Sequence, residues 1–505
     1  MNTSPLRAGR ALEIACGLIP FVFLGLLGVA SRFWLPVAAA IVLVYALGWL
    51  VRLCGFAYRM LGAFYHYRRA AATDWQAKLA ALASETLPTG IDPSRLRHAV
   101  IITAYNEPAA VLEATIKAVA ASEYDRSRIM LILAYEARGG AAMERGVQRL
   151  IRSYGSQFGL AQAVKHPANL PGEAKAKAGN ITYAARWLSG YCREQHIPAD
   201  QVLVTTLDAD NRPHPCYLAA LAWTYAITPH RTHRAYQPLP LYTNNIWDAP
   251  APVRVVATDT SLWFMMESMR PRRLRLFSAY AQSLQTLEEV GYWNVRTIVE
   301  DGHQYWRSYF AFHGDFRAVP LWLPMYQDAV VAGPYWQTLR AQFRQLLRWA
   351  WGVSDTPYVV REALGDRRIS WRDKLLHIYR QMDDYLTWAT APIILAVGGW
   401  LPWFLSPRPG ELTLAQLMIH VFSVMQLLAL ACLLVVIAVY VALLPPRPAR
   451  YGNWRGAMMV LQWALEPITL VLFFSLASLT AHARLVLGKP LERFDVTIKT
   501  IRPDS

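Results

Sequence analysis

Four short groups of polar residues occur in order along this chain of 505 residues, and their side chains are of the types that hold and transfer charged groups. The groups are the segment 176–180 (Ala-Lys-Ala-Gly-Asn), Asp208 with Asp210, Glu300 with Asp301, and the segment 345–349 (Gln-Leu-Leu-Arg-Trp). Two carboxylates one residue apart can hold a divalent cation against a diphosphate. A later carboxylate can remove a proton from an attacking hydroxyl. Together, the four groups predict the chemistry of moving a sugar off a nucleotide diphosphate.

Asp208 and Asp210 follow the apolar run 202–207, which predicts a buried strand that ends at the first carboxylate. If the strand continues, the two side chains share one face, as a half-site for Mg²⁺ or Mn²⁺ would require. The alternative is a polar loop in which the aspartates cap turns. The buried strand before the pair favours the metal site.

Glu300 and Asp301 allow two interpretations. They follow a strand-like run at 293–299, so one of them could serve as a general base beside a diphosphate site. They could equally open a helix, because carboxylates are favoured at helix amino ends. The segment alone does not decide between the two.

Positive charge and an aromatic face come from Lys177, Arg348 and Trp349. A departing nucleoside diphosphate needs fixed positive charge, which Lys177 and Arg348 could supply. Trp349 offers a flat apolar face against which a sugar can stack. The alternative for Arg348 and Trp349 is an anchor pair at a membrane interface.

Alternating strands and helices must position these groups. Strands are predicted at 98–103, 129–135, 162–166 and 202–207, and helices at 107–121, 139–155 and 180–194. This order is typical of parallel βαβ units, in which ligands bind at the carboxyl ends of the strands. The acidic pair after residue 207 lies at such an end.

Apolar segments flank this region on both sides. Nearly charge-free runs long enough to cross a bilayer core lie at 11–30, 35–55, 386–405 and 412–444. A fifth segment, 457–483, is interrupted by Glu466 and Pro467, so it could cross the membrane or lie along its interface. An apolar fraction of 54% agrees with a membrane protein.

The net charge of +16 is concentrated beside these segments, which argues against nucleic-acid binding and for contact with membrane lipids. By the positive-inside rule, the basic stretches lie in the cytoplasm. They contain Arg7, Arg10, Arg52, Arg59, Arg68, Arg69, Arg447, Arg450 and Arg455. The five cysteines show no paired spacing, so neither a disulfide framework nor a zinc site is indicated.

The order and spacing of these motifs resemble the membrane-embedded glycosyltransferases of family two, in particular bacterial cellulose synthase and its relatives. The resemblance begins at 103–107 (Thr-Ala-Tyr-Asn-Glu), passes through the four groups, and extends to 494–499 (Phe-Asp-Val-Thr-Ile-Lys), which resembles the gating loop of cellulose synthases. It implies an α/β fold, a GT-A type nucleotide-sugar domain, inserted between transmembrane helices. The implied reaction is inverting transfer from a nucleotide-diphospho sugar, first of all a UDP-sugar.

The resemblance also implies roles for single residues. Asp301 would be the catalytic base, while Asp208 and Asp210 would hold the diphosphate and the Mg²⁺ or Mn²⁺ ion. Further donor contacts would come from Tyr105, Asn106, Glu107, Glu136, Lys177 and Arg348. Acceptor contacts would come from Glu300, Gln345, Trp349 and Tyr280. Gating would involve Phe494, Val496, Thr497 and Lys499.

Three departures from the cellulose synthase pattern limit what can be carried over. The second strand ends in Glu136 where the family has an aspartate pair, so the base of the donor is open. The segment 276–280 (Leu-Phe-Ser-Ala-Tyr) stands in place of the Phe-Phe-Cys-Gly-Ser acceptor segment, so cellulose is not predicted as the product. The chain also ends soon after the gating-like segment.

The expected organisation places the catalytic domain in the cytoplasm, below the cytoplasmic (inner) membrane. It comprises two transmembrane helices at 1–56, an amphipathic linker at 57–97, a GT-A domain with interfacial helices at 98–355, an interfacial connector at 356–385, two transmembrane helices at 386–444, an interfacial or re-entrant helix at 445–488, and a gating-like tail at 489–505. If 494–499 reaches the active site, an even number of spans is required. A fifth span at 457–483 would put the tail outside.

Three functions remain open at this point. The motifs favour a processive synthase that extrudes a polysaccharide, whereas the altered 276–280 segment leaves room for a single transfer to a lipid or polyprenyl-phosphate carrier. A non-catalytic membrane subunit with a degenerate nucleotide-sugar fold is a third possibility, suggested by Glu136. Retention of Asp208, Asp210, Asp301 and Arg348 argues against the last.

Overall fold

The computed structural model describes residues 5–83, 87, 90–400, 404 and 412–491. The chain divides into two compact units. Within the described residues, the sheet unit comprises Ala63–Asp248 and Trp263–Gly333. The helical unit comprises Met1–Gly62, Ala249–Leu262 and Pro334–Leu491.

An eight-stranded mixed sheet forms the centre of the sheet unit within the described residues, in the order β3-β2-β1-β4-β7-β6-β8-β5. The strands are β1 (Arg97–Ala104), β2 (Ile129–Glu136), β3 (Leu160–His166), β4 (Val202–Leu207), β5 (Arg212–Pro213), β6 (Arg234–Leu241), β7 (Ala281–Ser283) and β8 (Arg317–Tyr326). Strands β3, β2, β1 and β4 run parallel. The predicted βαβ arrangement is therefore confirmed.

The helices, in chain order, are α1 (Pro5–Phe33), α2 (Leu35–Ala71), α3 (Trp75–Ala83), α4 (Ala109–Ala120), α5 (Gly140–Tyr154), α6 (Lys177–Glu194), α7 (Tyr217–Ile227), α8 (Ala251–Ser268), α9 (Leu284–Val290), α10 (Glu300–Ala311), α11 (Tyr335–Ala350), α12 (Asp355–Gly365), α13 (Trp371–Val397), α14 (Leu412–Leu443), α15 (Trp454–Leu461), α16 (Glu466–Thr469) and α17 (Leu476–Leu487).

Apolar strand residues hold the sheet unit together. Every residue of β2 and of β4 is buried, as expected for strands of a parallel sheet that is covered on both faces. Val100, Leu131 and Leu207 belong to one core cluster that also includes residues of α4, α5 and α7. The register pairs Ile102 with Leu207, so β4 ends beside the end of β1.

Four helical stretches in the described part of the chain are long and apolar enough to cross a membrane: Gly9–Phe33, Leu35–Ala71, Gln416–Leu443 and Trp454–Leu487. Three of them contain the predicted spans 11–30, 35–55 and most of 412–444. The span predicted at 386–405 falls partly on the amphipathic helix α13 and partly on residues outside the described range, and it stays a prediction.

The stretch Trp454–Leu487 is the segment for which the sequence left two placements open. Its helical hydrogen bonding changes to a 3₁₀ pattern at Gln462–Leu465 and to a π pattern at Leu470–Ser475. Pro467 lies between these two irregular turns, and a proline cannot donate the backbone hydrogen bond of a regular helix. Length and composition would allow this stretch to cross, and its interfacial placement stays a prediction.

Candidate active site

The carboxyl ends of β1, β2 and β4 bring several of the predicted site residues to one edge of the sheet. Tyr105 follows β1, Glu136 ends β2, and Asp208 follows β4 directly. Because these strands are parallel, their ends meet at the same edge. The sequence-based prediction that the acidic pair lies at a strand end is confirmed.

Lys177 lies between two carboxylate groups at this edge. Its Nζ is 2.9 Å from Asp208 Oδ1 and 3.9 Å from Glu300 Oε1. The side chain of Lys177 is only 6% exposed, and that of Glu300 only 5%. The first and third motifs, 123 residues apart in the sequence, therefore meet through one ammonium group.

The loop before α10 positions Glu300 next to Lys177. Val295 accepts a hydrogen bond from the backbone N–H of Ala174 at 2.8 Å, and Trp293 accepts one from the Thr182 hydroxyl at 3.4 Å. These bonds tie the loop to the start of α6, the helix that begins at Lys177. The strand predicted at 293–299 is therefore wrong, because these residues form a loop that is held by α6 instead of pairing with a strand.

Glu300 and Asp301 also open helix α10, so the helix interpretation is confirmed, while the role of a general base stays a prediction. Burial and the neighbouring Asp301 carboxylate raise the pKa of Glu300 to about 8, although the Lys177 charge acts in the opposite direction. Burial lowers the pKa of Lys177, but the charges of Asp208, Asp301 and Glu300 outweigh it and raise the pKa overall. Lys177 therefore stays charged, while Glu300 holds its proton at neutral pH.

Tyr280, predicted as an acceptor contact, is buried within electrostatic reach of the acidic pair. Burial and the charge of Asp301 both raise the pKa of its phenol well above the usual range. Its hydroxyl accepts a hydrogen bond from the indole of Trp293. Tyr280 is thus a neutral side chain that is fixed beside Asp301 by the same loop that positions Glu300.

The two aspartates of the Asp-x-Asp pair have different surroundings. Strand β4 ends at Leu207, and a turn follows in which Asn211 N–H bonds to Asp208 O at 3.1 Å, so the pair does not share a strand face. Asp208 has a half-buried side chain and accepts a hydrogen bond from the Ser278 hydroxyl at 2.8 Å. Asp210 is buried, and its Oδ2 accepts the backbone N–H of Asp328 at 3.0 Å.

This donor set fits a hard divalent cation. Mg²⁺ and Mn²⁺ take carboxylate oxygens from the protein and further oxygens from substrate phosphates. The Asp208 side chain is 36% exposed, so its oxygens can be reached from solvent at the strand end. Asp208 and Asp210 are the residues that would hold the ion.

The end of β1 is shaped by Glu107. Its carboxylate accepts the backbone N–H groups of Tyr105 at 2.7 Å and of Asn106 at 3.2 Å. Two amides that follow the strand are therefore already satisfied by a side chain of the same motif. This fixes the turn at which the predicted donor contacts Tyr105 and Asn106 lie.

Glu136, the residue that departs from the family pattern, forms an ion pair with Arg138. Burial raises the pKa of Glu136, and the Arg138 charge opposes this shift. The guanidinium of Arg138 also lies 4.9 Å from the centre of the Tyr105 ring. Glu136, Arg138 and Tyr105 thus form one charged and aromatic wall at the ends of β1 and β2.

Gly139 allows the turn after β2 to pack against the turn after β1. A Cβ at this position would lie 2.0 Å from the carbonyl oxygen of Tyr105. No side chain can occupy that space without moving the backbone. The close approach keeps Glu136 and Tyr105 side by side.

The Gln-x-x-Arg-Trp group lies on α11, in the helical unit. Gln345 accepts a hydrogen bond from the Gln342 amide at 3.0 Å. Trp349 is partly buried against a cluster formed by Val256, Leu346 and Ala477. This packing is compatible with the anchor interpretation, and the donor and acceptor roles of Gln345, Arg348 and Trp349 stay predictions. The gating residues Phe494, Val496, Thr497 and Lys499 lie outside the described residues.

Sequence reasoning did not single out Ser278, Asn211 or Asn244. The Asn211 amide bonds to Ser278 at 3.3 Å, and Ser278 bonds to Asp208. The Asn244 amide donates to the carbonyl of Asp210 at 3.2 Å and to the Asp328 carboxylate at 2.9 Å. Asn211 follows the acidic pair directly and could have been found from that position, whereas no local signal marks Asn244.

Residues 203–445 match a family model described as glycosyl transferase family group 2. The chain carries a family 2 glycosyltransferase domain. The match begins in β4, immediately before the acidic pair, and it includes Glu300, Asp301 and the 345–349 segment. The protein is a glycosyltransferase with a GT-A-like fold, and no curated protein matches it at a significant level.

Two solved structures illustrate what this glycosyltransferase is similar to. The mannosyltransferase PcManGT from Pyrobaculum calidifontis, in complex with GDP-Man and Mn²⁺, is 16% identical, covers 86% of this chain and 99% of its own, and has a TM-score of 0.42. S. aureus TarS 1-349, in complex with UDP-GlcNAc, is 10% identical, covers 81% of this chain and 98% of its own, and has a TM-score of 0.36.

Proposed function

We propose that this glycosyltransferase is an inverting enzyme of the cytoplasmic membrane that moves a sugar from a nucleotide-diphospho sugar, in the first place a UDP-sugar, to a growing polysaccharide. One observation carries the proposal: Lys177 joins Asp208 to the Glu300 and Asp301 pair at the carboxyl edge of the sheet. Groups suited to the diphosphate and groups suited to the acceptor hydroxyl are thereby held side by side.

Asp301 acts as the general base and takes the proton of the acceptor hydroxyl as that hydroxyl attacks the anomeric carbon. Burial and the Asp301 charge raise the pKa of Glu300 to about 8, and its protonated carboxyl can donate a hydrogen bond to the acceptor. Tyr280, which is neutral and buried, closes the apolar side of the acceptor position.

Lys177 stabilises the negative charge that develops on the leaving diphosphate. Lys177 is positioned for this role because its ammonium group is already desolvated and anchored on Asp208. A divalent ion, when bound to Asp208 and Asp210, supplies Lewis-acid stabilisation of the same leaving group. Binding and orientation of the donor diphosphate are the contributions of the protein itself.

Glu136 and Tyr105 form the proposed nucleotide wall. The buried Glu136 carboxylate can accept hydrogen bonds from N–H groups of a base or from ribose hydroxyls. Its ion pair with Arg138 opposes the rise in pKa that burial causes. A glutamate that reaches further than the family's aspartate can still perform this contact.

Processive extension is supported by the 345–349 segment and by the resemblance to synthases. The rival is a single transfer to a lipid carrier, for which the segment 276–280, different from that of the synthases, leaves room; its Ser278 is bonded directly to Asp208. The size distribution of products from purified enzyme and labelled donor separates the two. A ladder or a long polymer supports processivity, and a single addition supports the carrier.

The test of the proposal is Asp301→Asn in the purified full-length enzyme. Loss of a general base should lower transfer by about 10²- to 10⁴-fold, while donor binding changes little. The matched control is Asp373→Asn, which removes a carboxylate from the first turn of α13. If Asp301 only opens a helix, both variants will retain transfer and differ from wild type in stability alone. Retained transfer in Asp301→Asn would therefore overturn the base assignment.

A further inference from the structure

A cluster of two histidines and an aspartate lies at the amino ends of strands in the same sheet, opposite the carboxyl ends that carry the active site. His230 and His233 lie in the turn before β6, and Asp315 lies just before β8. Strands β6 and β8 are parallel, and their register pairs Arg234 with Arg317. The segments that precede the two strands therefore lie next to each other. Neither the glycosyl transfer nor the family resemblance uses these three side chains.

The strand directions separate this cluster from the active site. Strand β7 is antiparallel to both β4 and β6, so β6 runs in the same direction as β4. The start of β6 therefore lies at the edge where β4 begins. Asp208 follows the end of β4, at the opposite edge. Any ion held by the cluster is distinct from the one proposed for the Asp-x-Asp pair.

The donor atoms of the cluster converge on one point. Asp315 Oδ2 is 2.9 Å from His230 Nδ1 and 3.2 Å from His233 Nδ1. All the candidate ligand atoms lie within 4.8 Å of one another. A tetrahedral zinc ion with bonds of about 2.0 to 2.2 Å separates its ligand atoms by about 3.3 to 3.6 Å. The distances from Asp315 Oδ2 to the two Nδ1 atoms need to lengthen by only about half an ångström to match such a site.

Neighbouring side chains hold the carboxylate and one ring in place. Arg234 forms an ion pair with the other oxygen of Asp315, Oδ1, at 3.0 Å, so Oδ2 remains turned toward the imidazoles. The ring of His233 stacks on Phe312, with centroids 4.1 Å apart and planes 23° apart. Contacts of this kind, outside the ligands themselves, commonly orient the ligands of metal sites.

We propose that His230, His233 and Asp315 form a site for a borderline transition-metal ion such as Zn²⁺. Two imidazoles and one carboxylate are donors that suit zinc, whereas Mg²⁺ prefers oxygen ligands alone. Three protein ligands leave the fourth tetrahedral position to water. The ion joins the turn before β6 to the loop before β8, away from the active site, so the glycosyl transfer does not depend on it chemically.

The first experiment is a metal titration of the full-length protein, prepared without a histidine tag and stripped with EDTA. Co²⁺ serves as the probe, in excess Mg²⁺ so that oxygen-ligand sites are filled. We expect one equivalent of Co²⁺ to bind with the visible absorption of a tetrahedral site, and Zn²⁺ to displace it. This measurement needs no variant, so absence of saturable uptake by the wild-type protein overturns the proposal.

Variants then locate the site. His230→Gln and His233→Gln should each weaken Co²⁺ binding by at least tenfold and leave transfer measured with Mg²⁺ or Mn²⁺ unchanged. His196→Gln is the matched control, because His196 is an exposed histidine with the same left-handed backbone as His230 (φ 53° and 52°). Undiminished Co²⁺ uptake in both cluster variants, or an equal loss in His196→Gln, overturns the assignment to these residues.

Discussion

Glu300→Gln tests the electrostatics of the site most directly, since it replaces a carboxyl group by a neutral group of the same shape. The pKa of Glu300 is raised from 4.5 to about 8 by burial and by Asp301. Between these two values the folded state binds more protons than the unfolded state, so rising pH favours unfolding. The stability that the neutral Glu300 carboxyl contributes is complete below the pKa that Glu300 has in the unfolded chain. It is lost as the pH rises through the pKa that Glu300 has in the folded protein.

The magnitude follows from the size of the shift. Each pKa unit corresponds to about 1.4 kcal/mol, so the full shift amounts to about 5 kcal/mol. Part of this shift comes from the neighbouring Asp301 charge, so the contribution of Glu300 alone is smaller than the full shift. We therefore expect the wild-type protein to lose about 2 to 5 kcal/mol at this site across the interval, while Glu300→Gln loses none of it.

Thermal unfolding in detergent, followed by tryptophan fluorescence at a series of pH values, measures this difference. At about 3 °C per kcal/mol, the melting temperature of Glu300→Gln should exceed that of the wild type by about 6 °C or more at alkaline pH, and the two should converge in acid. Glu288→Gln, on the exposed side of α9, is the control and should follow the wild type. Parallel curves for wild type and Glu300→Gln would refute the reasoning.

The remaining predictions concern Lys177 and the turn after β2. Lys177→Met leaves Asp208 and Glu300 without their shared cation, and it should destabilise the protein by about 2 kcal/mol, less than a fully buried pair because Asp208 is 36% exposed. Donor affinity should fall as well. The control is Lys165→Met, which breaks the exposed ion pair with Glu144. Equal effects of the two substitutions in thermal unfolding and in donor titration would contradict the prediction. Gly139→Ala forces a Cβ against the Tyr105 carbonyl and should destabilise the protein by more than about 2 kcal/mol in thermal unfolding. In Gly146→Ala, by contrast, the new Cβ meets only Ala109 at 3.7 Å, so this helix substitution should stabilise the protein by about 0.5 to 1 kcal/mol. Similar effects at both glycines would show that the close approach is not real.

The first half of the sheet could be predicted from the sequence because its strands are buried on both faces. The apolar run 202–207 predicted β4 with its observed bounds, and 129–135 missed β2 by one residue. Such strands are marked by continuous apolar runs, which are visible without knowledge of their partners. The position of Asp208 at the site followed from this alone.

The second half could not be predicted, because non-local pairing decides it. Strand β7 has three residues, and it exists because Ala281 pairs with Thr205 and Tyr236. Strand β6 contains two prolines, which argue against an interior strand. The structure accommodates Pro238 at a shift of register between Gln237 and Leu239. No local sequence pattern predicts such a shift of register.

Within the candidate site, the contact of Lys177 with Glu300 was equally hidden. The sequence named both residues, but only the loop bonds from Val295 and Trp293 to the α6 region bring them together. The strand-like composition of 293–299 even pointed to the wrong element. Residue types indicate chemistry, while the distances between them depend on loops whose conformation is set by tertiary contacts.

The stretch from Ser278 to Tyr280 leads directly into β7 and touches both halves of the proposed reaction. Ser278 is bonded to Asp208, and two residues later Tyr280 lies within reach of the Asp301 charge. Under the proposed roles, a displacement of this stretch would alter the donor pocket and the acceptor pocket in a single step. Exchange of 276–280 between relatives should therefore change the donor specificity and the acceptor specificity together.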